Sequence, residues 1–74
     1  MTPTQARPDA DDEGRHVFDV VRRAADALLA AAATPTAFAV WALAAVRAQP
    51  SRELRHVALD GVMAAMDDAE TRRP

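Results

Sequence analysis

Cysteine is missing from the chain, and with it go disulfides, iron–sulfur clusters, thiolate zinc sites and a thiol nucleophile. Glycine is scarce. Gly14 and Gly61 stand far apart, so no glycine-rich loop is present to cradle a phosphate. Ser51 is the only serine, and its surroundings read as a helix start, not as the strained strand-to-helix elbow of a serine nucleophile. Lysine, asparagine, isoleucine and tyrosine are also absent, and all nine basic residues are arginine. Those four absent residues have AT-rich codons, so a GC-rich coding sequence accounts for the bias without any functional cause. β-Branched runs are lacking, which argues against a sheet. Long apolar runs are lacking too: the longest, Ala37 to Val46, has ten residues, where a membrane span needs about 20. No apolar core follows a basic start near Met1, so the expected location is the cytoplasm and no membrane partner is expected.

What remains is alanine, at 19 of 74 positions, and a modest set of larger apolar side chains. A chain this short makes one domain and buries only about 60% of its unfolded surface, so it gains much from association. The formal net charge is −2, which gives no general attraction to nucleic acid. Charge is nonetheless uneven, with Arg7 set against Asp9, Asp11, Asp12 and Glu13 at one end and Arg72-Arg73 at the other.

The pattern predicts an all-α protein of three helices. Residues 1–12, with Pro3, Pro8 and an acidic cluster, show no period and are expected to form a disordered tail. The first helix is expected over about 13–33. Val17, Val20, Val21, Ala24, Ala25, Leu28 and Leu29 share one sector there, and Arg15, His16, Asp19, Arg22, Arg23 and Asp26 fill the other. Asp19–Arg23 and Arg22–Asp26 are spaced to pair across one turn. Thr34-Pro35 then reads as an N-cap with proline at the first helical position, opening a second helix over about 35–49. Gln49-Pro50-Ser51 ends it, and Ser51 caps a third helix over about 52–70. Residues 71–74 form a short basic tail. The breaks are short enough for antiparallel neighbours, with a helical hairpin plus one helix as the expected unit.

The second helix is the informative one. From Ala37 to Val46 it is apolar all round, and such a helix is usually covered on every side. Two other helices cannot easily enclose it, so whichever way it turns it exposes either Val40 and Leu43 or Phe38 and Trp41. An exposed apolar patch of that kind marks a binding surface. The favoured expectation is therefore a non-catalytic interaction protein, an obligate homodimer or an accessory subunit of a larger assembly. It would bind itself or another helical protein through Phe38, Val40, Trp41, Leu43, Met63 and Met66, with no cofactor.

Two other patterns carry chemistry. Ser51 to His56 places Arg52, Arg55 and His56 on the first turns of the third helix, as the recognition helix of a helix-turn-helix DNA-binding regulator would. The acidic balance and the other charges on that helix weigh against it. Glu13–His16 and Glu53–His56 match the Glu-x-x-His spacing of di-iron helical bundles, where i and i+3 side chains share one face. Both histidines fall in polar sectors, and no glutamate on the second helix completes the set. The solvated-face reading of the two motifs is accordingly preferred.

Overall fold

A computed structural model describes residues 9–72 of the chain, with side chains from residue 12 onward. Three helices make up the fold: α1 (Asp9–Ala30), α2 (Pro35–Arg47) and α3 (Arg52–Thr71). The all-α expectation is met. α1 begins ahead of the expected position 13, so residues 9–12 belong to a helix, while the remainder of the expected disordered tail, residues 1–8, lies outside the described residues. At the other end, Thr71 completes α3 and Arg72 caps it, and residues 73–74 again lie outside.

Each boundary follows from local hydrogen bonding. α1 stops at Ala30, short of the expected position 33, because the chain turns left-handed at Ala32, whose φ is 60°. The Ala32 N–H donates to Leu29 O and the Ala33 N–H to Leu28 O, both at 3.0 Å. That pair of bonds is a Schellman ending, in which the left-handed position is normally glycine. Here alanine occupies it, so the run Ala30–Ala33 carried no visible stop signal. Thr34 is extended, as a residue before proline should be, and its Oγ1 accepts from the Ala37 N–H at 3.1 Å to cap α2. Ser51 Oγ accepts from the Leu54 N–H at 3.2 Å to cap α3. Gln49 Nε2 donates back to Ala45 O at 3.0 Å, satisfying a carbonyl at the end of α2.

The main packing joins α1 to α3, helices that are not neighbours in the chain. Gly14 lies beside Val57, Gly61 lies against Phe18, Val21 and Arg22, and Arg22 reaches Asp68. Residue numbers rise together along both helices, so α1 and α3 run parallel. The expected hairpin is therefore not where the tightest contact falls. Gly61 explains the closeness: a Cβ there would stand 3.1 Å from Phe18 O and 3.4 Å from Arg22 N, both backbone atoms. Ala58 and Ala65 on α3 and Ala25 on α1 are likewise fully buried. Val21, Phe38 and Val62 complete the buried core, with Val17, Leu28, Leu29, Trp41, Ala42 and Val46 packed around it.

α2 lies over this pair and is the shortest element, with 13 residues against 22 and 20. At about 1.5 Å per residue it spans only about two-thirds of the length of its neighbours. It turns Phe38, Trp41, Ala42 and Val46 inward. The rings of Phe38 and Trp41 tilt against each other with centroids 5.6 Å apart, a favourable aromatic arrangement.

Candidate functional site

With Phe38 and Trp41 turned in, α2 leaves Val40 and Leu43 outside, at 64% and 55% exposure. The rest of its outer surface is mostly alanine, which is why an all-apolar helix can sit on one side of two others. Between α2 and α3 lies an open groove of about 710 Å³. Phe38 and Val62 form its floor, Leu43 and Val46 one wall, Leu59 and Met66 the other, and Leu29 and Pro35 close one end. Every side chain bordering the groove is apolar.

The six residues singled out from sequence divide three ways. Leu43 and Met66 line the groove and are exposed. Val40 and Met63 are also exposed, on the outer surfaces of α2 and α3, outside the groove itself. Phe38 is buried, at 8% exposure, and Trp41 is half-buried against the same core, so both belong first to the protomer's own packing. Leu59 is not among the six. The structure exposes it on the groove wall. Its spacing of four and seven residues from Met63 and Met66 was the available signal.

α3 therefore carries two apolar faces. One, through Ala58, Gly61, Val62 and Ala65, is buried against the rest of the fold. The other, through Leu59, Met63 and Met66, is open. Met63 and Met66 sit among Asp60, Asp67 and Glu70, which give the open face an acidic margin.

The polar candidates remain on the surface. Arg52, Arg55 and His56 are exposed on the first turns of α3, beside the exposed Glu53. Glu13 and His16 are exposed on α1. Among the described residues, no three His, Asp or Glu side chains are grouped to hold a metal ion. Nor is any helix there long and apolar enough to cross a membrane.

One ion pair among the described residues ties α1 to α3, and two more lie within single turns. Arg22 Nη2 donates to Asp68 Oδ2 at 2.9 Å across α1 and α3, Arg22 approaches Asp26 at 3.7 Å, and Arg72 approaches Asp68 at 3.5 Å. The Arg22–Asp26 pair was expected from its spacing. Asp19 and Arg23 are both exposed and form no such pair among the described residues. These partly exposed pairs orient the helix ends and contribute about 0–1 kcal/mol each.

The fold and this surface together define a class: a three-helix domain with an open apolar groove and an exposed apolar helix face. Compared with protein families, with characterised proteins and with solved structures, the chain shows no match.

Proposed function

We propose that the protein is a non-catalytic helical interaction module that docks onto another helical surface, its own copy or another chain, through the groove and the open face of α3. One observation carries this reading. Leu43, Leu59, Met63 and Met66 are all exposed and lie along one groove and its margin, while the core beneath them is thin and rich in alanine. A contiguous exposed apolar patch is uncommon on a small monomer and marks binding surfaces. Each is already about half covered, so burying the remainder contributes about 1 kcal/mol apiece. The methionines suit the role, because their flexible thioethers adapt to a partner's contour.

Site-specific photo-crosslinking in cells tests this reading independently of who the partner is. A photoreactive residue at Met66 is expected to give an adduct of discrete mass, and the same residue at Arg23, on the polar side of α1, is expected to give none. Equal adducts at both positions, or none at Met66, would refute docking through this face.

A DNA-binding reading draws on the exposure of Arg52, Arg55 and His56 at the start of α3. It requires Arg55→Ala to abolish salt-dependent duplex binding. The apolar groove has no part in that reading, and for that reason the docking function is preferred.

A further inference from the structure

The open face of α3 is acidic along most of its length. Asp60, Asp67 and Glu70 stand exposed beside Met63 and Met66. Among the described residues no ion pair engages any of the three. Asp68, the remaining acidic group on that stretch, is already held by Arg22 and Arg72. From Leu59 to Thr71 the helix has no basic residue. Basic groups gather only at the other end, where Arg52, Arg55 and His56 open α3 beside Glu53 and Arg47 closes α2.

The make-up of the face dictates what kind of chain covers it. It is built from the sides of two helices, so it offers side chains and no open backbone edge. A partner must satisfy its own backbone hydrogen bonds there, which a helix does internally and an extended strand does not. Leu59, Met63 and Met66 are spaced four and three residues apart, as on the seam between packed helices. Leu43 and Val46 form the facing wall across the groove floor. No helix of this chain supplies the matching charge. A second α3 laid end for end along the stripe brings Glu53, Asp60 and Asp67 against the same three residues of its copy. Laid parallel, it sets Glu70 on Glu70 and Arg52 on Arg52, and both arrangements repel. On α1 the only large exposed apolar side chain among the described residues is Val20, with Arg15, Asp19 and Arg23 mixed around it. α2 carries a single charge, Arg47, at its end.

Resting on the reading that this face is a docking surface, we infer that its occupant is an amphipathic helix of a different protein, apolar on one side and flanked by lysine or arginine. Its apolar side fills the groove between Leu43 and Met66. Its basic flank pairs with Asp60, Asp67 and Glu70, which have no partner of their own in the protomer. The sign reverses over Arg52 and Arg55, so the basic flank stops short of the first turn of α3. Apolar contact holds the helix in place, and the charges select the partner and its position along the groove.

A pair of model peptides tests the inference with the full chain. The probe is a helical peptide of leucine and lysine, with leucine at alternating intervals of three and four. Its counterpart has glutamate in place of every lysine. The leucine–lysine peptide should bind the wild type at low salt, and the leucine–glutamate peptide should bind at least about tenfold more weakly. Asp60→Asn/Asp67→Asn/Glu70→Gln should weaken binding of the lysine peptide by about tenfold. The same change of net charge on α1, Asp12→Asn/Glu13→Gln/Asp19→Asn, should leave it within about twofold. All six substituted side chains are exposed, so circular dichroism should show both variants folded. No binding of the lysine peptide, equal binding of the two peptides, or equal loss in the two variants overturns the inference and leaves docking through the face standing. A Met66 crosslink that joins two copies of this chain also overturns it. Loss of the Met66 crosslink altogether is the separate failure of the docking function itself.

Discussion

Gly14 and Gly61 differ in crowding, and an added side chain has opposite consequences at each. At Gly61 an added Cβ meets backbone atoms of α1 at 3.1 and 3.4 Å, so a larger side chain must push the two helices apart. Gly61→Leu is expected to destabilise the fold by about 3 kcal/mol, the upper range for overpacking. At Gly14 the added Cβ would meet only Val57 Cγ2, at 3.9 Å, an ordinary contact. Gly14→Ala should therefore gain about 1 kcal/mol from helix propensity alone. Urea unfolding of both variants checks the contrast. Ala32 offers a third case, because its φ of 60° is costly for any residue with a Cβ. Ala32→Gly should stabilise the protein by up to about 1 kcal/mol, seen as a Tm higher by roughly 4–8 °C. A glycine inside a helix reads in sequence either as a tolerated defect or as a close crossing, and at Gly61 only the position of α1 decides between them. Ala32 left no trace at all, since nothing distinguishes it from its alanine neighbours until the backbone turns.

Element by element, the legible features were those with a local cause. Thr34-Pro35 and Gln49-Pro50-Ser51 mark both interhelix breaks, and the capping bonds form where the side chains predicted them. The orientation of α2 was not legible, because a helix apolar on all sides names no inward face. Tertiary packing chose Phe38 and Trp41, the two aromatic residues able to span the gap above α1 and α3. That choice reverses an expectation for Trp41. Its loss should damage the fold first, with Trp41→Ala costing about 2 kcal/mol, less than the figure for a fully buried aromatic because the ring is half-buried. Leu43→Ala on the opposite side should change the stability of the monomer by no more than about 0.5 kcal/mol. Thermal unfolding of both at low concentration tests which face of α2 belongs to the protomer. Equal destabilisation would mean that Leu43 is packed within it.

At the scale of the whole molecule, a thin core and an open apolar face belong to the same account. Among the described hydrophobic residues only Val21, Ala25, Phe38, Ala58, Val62 and Ala65 are buried, and three of those are alanine. Association that covers Leu43, Leu59, Met63 and Met66 would link stability to partner concentration, so Tm should rise as a partner helix is added. The most direct measurement is sedimentation equilibrium of the full chain beside Leu43→Glu/Met66→Glu, with circular dichroism on both. The account predicts that any association of the wild type is lost in the double variant while the fold is kept, since both substituted side chains lie on the open surface. A double variant that associates as well as the wild type, or one that unfolds as a monomer, would contradict it.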